Sequence, residues 1–301
     1  MIQLVRISGR LRGILAAVAA AILFFAAAFP PALSSSASLN IVAPRESAVG
    51  RPFLVYVSSM SNMTGLTISW GGKMIPVEVR REGDISEGVA LLGTDVGNSA
   101  PGTKKLEISA GIDGSVETVS REVQVASVEY PVQRLTLPEA MVTPPKVVLE
   151  RISREREESS SALAAVSPER KWDLPMVRPV PGVTTSPYGF RRILNGQPRS
   201  PHRGVDYRAK EGDPVMSCAA GTVLLSADHY YAGECLYVDH GNGVVSVYMH
   251  LSSRMVSAGD QVSAGDVIGL AGRTGRVTGP HLHFGLSLQG SMVDPEPLLG
   301  K

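Results

Sequence analysis

The chain has 301 residues, with 29 Lys and Arg against 28 Asp and Glu. That length exceeds the roughly 100–200 residues of an ordinary domain and predicts two. A net charge of +1 implies neither a nucleic-acid groove nor a polybasic membrane surface, so no nucleic-acid partner is expected and the chemistry must come from particular side chains.

Residues 1–37 read as an export leader. Arg6, Arg10 and Arg12 precede the uncharged run GILAAVAAAILFFAAAF, and small residues follow through Ser35-Ser36-Ala37. The mature chain is expected to begin near Ser38, in the periplasm or cell envelope. If retained, the segment would instead anchor the chain to the inner membrane, because about 20 apolar residues span a bilayer. Export would carry Cys218 and Cys235 into an oxidising compartment where a disulfide is open to them. Each also sits in an apolar, strand-like stretch that suits a small buried hydrophobe.

Over 38–127 apolar residues alternate in short runs: Phe53-Val55-Val57, Leu66-Ile68-Trp70, Val77-Val79, Leu106-Ile108 and Val123-Val125. Period two means half-buried strands. Asp113-Gly114 is suited to a tight hairpin, and the segment is expected to form an Ig-like antiparallel β-sandwich. It has neither His nor Cys, so positioning, binding, shielding or plain spacing is its expected role.

Residues 128–172 form a linker with one helix in KVVLERISREREESSSALAAV. Thr143 is placed to cap it and Pro144 suits its first turn, while Glu150 with Arg154 and Arg151 with Glu155 have i,i+4 spacing. This charge alternation predicts a solvated helix face. Residues 173–301 return to strand patterns, with an internal echo in Gly212-Asp213-Pro214-Val215, Gly259-Asp260-Gln261-Val262 and Gly265-Asp266-Val267-Ile268 that reads as tight β-turns. The whole chain is therefore expected to be all-β, with a compact antiparallel C-terminal domain.

All six histidines lie between 202 and 283. In Pro280-His281-Leu282-His283-Phe284, alternation along a strand puts His281 and His283 on one face. In His202-Arg203-Gly204-Val205-Asp206, Pro201 and Gly204 argue against a helix, and even separation can place His202 and Asp206 together. Two imidazoles and a carboxylate make the N/N/O set that a catalytic zinc accepts, with a fourth position left for water; a structural zinc more often takes four protein ligands. Tyr248-Met249-His250-Leu251 ends another apolar strand and supplies a further histidine suited to proton transfer. HExxH is absent, so histidine must replace the usual glutamate base. His229 and His240 fall in turn-like contexts and are read as structural. Arg192 and Asn195, just upstream of His202, are candidates for shaping a groove.

The stretches SPYGFRRILNGQPRSPHRGVDY, AAGTV, VDHGNGVVSVYMHL, VSAGDQVSAGDVIGLAGRTG and TGPHLHFGL, in this order over about 180–298, closely resemble the lysostaphin-type zinc metallopeptidases. HxxxD, YxHL and HLH together are far more specific than any one alone. The resemblance implies a grooved antiparallel β domain with one zinc ion held by His202, Asp206 and His283. It implies His250 and His281 as catalytic histidines, and an endopeptidase that cuts peptide cross-links of peptidoglycan with zinc-activated water. Activity is expected to be lost below about pH 6, since protonating the ligand imidazoles expels the metal and protonates the bases. Degenerate relatives that activate cell-wall amidases without hydrolysis are the alternative, but such a protein should lack a metal ligand, and none of the five positions is substituted. A Cys/His hydrolase using Cys218 is weaker, because the thiol sits in the apolar run PVMSCAAGTV. A constitutive wall hydrolase endangers its own cell, so restraint by the first domain, the linker or a regulatory partner is expected.

Overall fold

A computed structural model of the protein describes residues 32–35 and 38–300. The expected leader lies outside the described residues apart from Ala32–Ser35, which pair antiparallel with Asn40–Ala43.

The first half folds as two five-stranded sheets. One runs in the order 32–35, 40–43, 53–59, 85–92 and 80–82; the other runs 46–48, 115–126, 102–112, 63–70 and 73–76. Their inward rows include Val55, Val57, Leu66, Ile68, Leu106, Ile108, Val123 and Val125, each no more than 1% exposed. These are the period-two positions of the sequence, and they face one another across a sandwich. Asp113 and Gly114 both have positive φ, 48° and 87°, as a two-residue hairpin requires. Val77-Val79 does not form a strand: it joins Lys73–Pro76 to Arg80–Glu82, carrying the chain from one sheet to the other.

The linker is better integrated than its charges suggest. Its main helix spans Leu149–Leu163, preceded by a 3-10 turn at Lys146–Val148, so Thr143 and Pro144 lie upstream of it; Thr143 instead ends a short helix, Glu139–Val142. Arg151 and Glu155 do form the i,i+4 pair, and Arg154 pairs with Glu158 rather than with Glu150. The helix face is not merely solvated. Glu155 is buried and accepts the Tyr230 N–H at 2.8 Å, Glu158 meets His229 Nε2 at 3.0 Å, and Tyr237 donates to Ser159 at 3.0 Å. Further upstream, Val132–Leu135 pairs in parallel with Arg191–Leu194.

The second half is built on a ten-stranded sheet whose central path runs 184–186, 205–207, 282–288, 244–254, 233–239, 221–229 and 261–262. Val205, Tyr207, Tyr248, Leu282, Phe284 and Leu286 fill its main core. Val245, Val247, Met249, Cys235 and Tyr237 lie on the opposite face, partly under the helix. The three Gly-Asp echoes are one recurring turn: Asp213, Asp260 and Asp266 accept the N–H of Lys210, Ser257 and Ser263 at 2.7, 2.8 and 2.7 Å. Cys218 and Cys235 are both free and buried in different clusters, so the disulfide does not form.

The halves are packed together. Tyr188 receives the Val96 N–H and donates to the Met292 carbonyl, Arg203 pairs with Asp95 at 3.4 Å, and Leu91 of the sandwich enters the main core of the second half.

Candidate metal centre

Strand register assembles the site. Asp206 is paired directly with His283, His283 with Met249, and Ser186 with Asp206, so these positions form one row across neighbouring strands. Side chains in such a row share a face. Here it is the face away from the Tyr248–Phe284 core. His202 precedes the strand Val205–Tyr207 and is fixed by its backbone: its N–H donates to Phe190 O at 2.9 Å and its carbonyl accepts from Gly189 at 2.8 Å. Gly204 allows the close approach that follows, since a Cβ there would lie 2.7 Å from His283 Nε2 and 2.5 Å from Phe284 O.

His202 Nε2, Asp206 Oδ1 and His283 Nδ1 converge, at 3.0 Å for His202–Asp206, 3.0 Å for His202–His283 and 2.8 Å for His283–Asp206. All three residues are buried. His202 Nδ1 lies 2.9 Å from the Pro187 carbonyl, which only an N–H can satisfy; the tautomer so assigned leaves Nε2 as a lone pair. Nε2 then faces a carboxylate oxygen, acceptor against acceptor. A cation at the centre resolves that conflict, and the N/N/O donor set with an open side is the kind that holds catalytic zinc. The residues present therefore fit the metal. The other Asp206 oxygen, Oδ2, accepts from Arg192 at 3.1 Å, which orients the carboxylate.

The two further histidines stand beside this triad. His250 by simple alternation would follow Tyr248 into the core. A register shift and a φ of 65° at His250 turn it out instead, so that its ring lies 4.9 Å from His281 and 6.0 Å from His283. His281 Nε2 is 3.7 Å from Asp206 Oδ1. Both rings are oriented through Nδ1, by Thr274 O for His250 and Gly279 O for His281, each at 2.9 Å. Each Nε2 is thereby left as a proton acceptor.

Burial sets the protonation states. Burial, reinforced by His283 and His281, pushes the His250 pKa down to about 3, and burial pushes His283 down to about 4 against the pull of Asp206. Burial acts to raise the Asp206 carboxyl, yet the His202 and His283 imidazoles packed against it outweigh that and hold the group well below the usual carboxylate range. His250 and His283 are therefore held neutral beside the Asp206 carboxylate.

Every one of the five candidate residues is thus brought to one place. His229 and His240 are not: His229 bonds the linker helix, and His240 is fully enclosed beside Ser246 Oγ at 2.7 Å. His240 Nε2 also lies 3.6 Å from Cys218 Sγ, a proximity the sequence did not suggest, but both residues are at most 1% exposed and no substrate can reach them. Ser186, Pro187 and Thr274 support the site and were not singled out in the sequence, whereas Gly204, inside HRGVD, was read there only as an argument against a helix. Asn195 holds the linker, bonding Leu137 and Glu139, rather than facing the metal ligands.

Residues 200–295 match peptidase family M23. Over 95 residues the chain is 44% identical to peptidoglycan DD-endopeptidase ShyA of Vibrio cholerae, covering 32% of this chain and 22% of that protein. Over 111 residues it is 38% identical to DD-carboxypeptidase/endopeptidase Mpg of Neisseria meningitidis, covering 37% of this chain and 26% of that protein. The match thus spans only about a quarter of the length of these curated relatives. A crystal structure of a putative peptidase M23 from Pseudomonas aeruginosa covers far more: it is 30% identical, with a TM-score of 0.63 over 84% of this chain and 95% of that one. The chain belongs to peptidase family M23, the lysostaphin-type peptidases.

Proposed function

We propose that the protein is a zinc-dependent endopeptidase of the cell envelope that hydrolyses peptide cross-links of peptidoglycan. The observation that carries this reading is the convergence of His202 Nε2, Asp206 Oδ1 and His283 Nδ1 beside two histidines, His250 and His281, whose Nδ1 atoms are taken by backbone carbonyls and whose Nε2 atoms are free. Family relatives named as peptidoglycan DD-endopeptidases support the substrate class and favour the direct D-alanyl cross-link over a glycine bridge. The basic and apolar N-terminal sequence supports export to the periplasm.

His202, Asp206 and His283 would hold the ion. When bound, zinc in a three-ligand site supplies a Lewis acid with a position open to water, whose pKa falls to about 7. Arg192 keeps the Asp206 carboxylate in its ligating orientation. His250 and His281 act as the proton-handling pair. With Nδ1 committed to a backbone carbonyl, each can take a proton at Nε2 as the nucleophile is generated, and the resulting imidazolium can return it to the leaving amine or stabilise the developing oxyanion.

The deciding experiment is zinc content of the purified chain together with digestion of isolated peptidoglycan, with and without chelator, reading the products by mass. Chelator-sensitive release of un-cross-linked peptides is the expected result. Bound zinc without digestion would overturn the hydrolase reading in favour of a wall-binding activator.

A further inference from the structure

Two arginines, one bonded to a metal ligand and one in the loop that orients His250, have unused hydrogen-bonding capacity. Arg192 stands on the strand Arg191–Leu194 and gives one N–H to Asp206, but its Nε is buried with no hydrogen-bond partner among the described residues. Arg276 belongs to the loop that carries Thr274, the residue orienting His250. Its backbone N–H bonds the Tyr231 carbonyl at 2.9 Å, and its guanidinium lies 4.4 Å from the centre of the Tyr231 ring. No hydrogen bond or ion pair engages that guanidinium among the described residues. Arg199, on the same side as Arg192, is satisfied by the Val142 carbonyl and Gln197 and adds its charge.

This is an unbalanced distribution. Burial, with the like charges of Arg192 and Arg199, works against the Arg276 cation. Asp206 is the carboxylate paired with Arg192, and it is committed to the metal-ligand cluster. A divalent ion would deepen the positive field. Partly buried cations without counter-charges are costly, and the shortfall is made up when an anion binds. A guanidinium fork matches a carboxylate in plane and spacing, and Tyr231 holds the fork of Arg276 in a fixed orientation.

We infer that Arg276 and Arg192 form a carboxylate-binding clamp that selects stem peptides bearing a free carboxylate next to the scissile bond. The inference rests on the hydrolase reading and adds to it a specificity determinant: a cross-link flanked by an acid-bearing residue is accepted, whereas one whose carboxylate has been amidated, or a glycine bridge without side-chain acid, is disfavoured.

The test uses the zinc-loaded full chain and an un-cross-linked stem peptide in two forms, with the side carboxylate of its diamino acid free or amidated, measured by calorimetric binding. The free acid should bind about 10-fold tighter or more, the scale of a charge-assisted hydrogen bond. In Arg276→Gln that ratio should fall towards one, and Arg276→Lys should retain part of it. With cross-linked dimers the same discrimination should appear in KM rather than kcat. Equal binding of the two forms by the wild-type chain, or an undiminished ratio in Arg276→Gln, would overturn the clamp. Chelator-sensitive digestion with no acid preference sinks the clamp alone; acid preference without any digestion sinks the hydrolase reading and leaves the clamp standing.

Discussion

His202 and His283 are 81 residues apart, yet their Nε2 and Nδ1 atoms face each other at 3.0 Å with Asp206 Oδ1 at hydrogen-bond distance from both. The three acceptors are crowded together because the register of two strands and the loop before one of them leave no other arrangement. His283→Ala should therefore abolish zinc binding and hydrolysis together. A ligand present at 100 times its Kd stabilises the native state by about 2.7 kcal/mol, so added zinc should raise the Tm of the wild-type chain and leave that of the variant unmoved. A zinc-induced rise of wild-type size in His283→Ala would remove His283 from the ligand set.

His281 and His250 stand outside the triad and should behave differently. His281 reaches Asp206 only at 3.7 Å, and His250 is tied to Thr274. His281→Ala and His250→Ala should each keep stoichiometric zinc and lose about 10²- to 10⁴-fold in turnover, the range for a positioned proton-transfer group. Metal analysis and rates on the same preparations decide the matter. Full activity in His281→Ala would end its assignment as a catalytic residue.

The acid limit should lie lower than ordinary histidines suggest. In the metal-free protein His250 is pushed from 6.5 to about 3 and His283 from 6.5 to about 4. Both folded values lie below the unfolded one, so the unfolded chain takes up protons first as pH falls. The stability they contribute is complete above about pH 6.5 and is lost as pH drops through 4 towards 3. The same burial keeps a metal ligand and a proton acceptor in their working forms below pH 6. Zinc retention should persist at about pH 5 and decline between about 4 and 3, whereas turnover should fall earlier, as a nucleophilic water of pKa about 7 takes up its proton. A half-loss of zinc near pH 6 would show that these rings titrate as exposed histidines.

Most of the strands and four of the five site residues were legible because their signals are local. Phe53-Val55-Val57 and Leu106-Ile108 declare their buried face by alternation alone, and Leu282 between His281 and His283 declares which way the histidines point. His250 was legible only by resemblance: alternation from Tyr248 sends it into the core, and nothing in YMHL reports the register shift and positive φ that turn it out. The linker helix was misjudged for a related reason. Its Glu155 looks like one more charge on a solvated face, and only the tertiary partner, the Tyr230 N–H, makes burial worthwhile. The Arg192–Asp206 contact and the Cys218–His240 proximity join residues that are 14 and 22 positions apart, distances at which pattern says nothing about contact.

The integration of the linker changes what truncation should do. If residues before Asp173 only shielded the groove, a chain beginning there would gain activity. Those residues also build the second half: Val132–Leu135 adds a strand beside Arg191–Leu194, Gln133 accepts from Ser186 at 3.3 Å, Ser186 in turn lies 3.2 Å from His202 Nδ1, and Leu91 fills the core. Removing them strips the outer support from a metal ligand, which typically costs about 10- to 100-fold in metal affinity. The fragment starting at Asp173 should therefore bind zinc more weakly than the chain from Ser38. It should also unfold at least about 5 °C lower, as loss of the paired strand and of Leu91 from the core, together worth a few kcal/mol, requires in a domain of this size. Calorimetry with metal titration on both chains checks this. A fragment with undiminished zinc affinity and higher turnover would show instead that the sandwich and linker restrain the enzyme more than they support it.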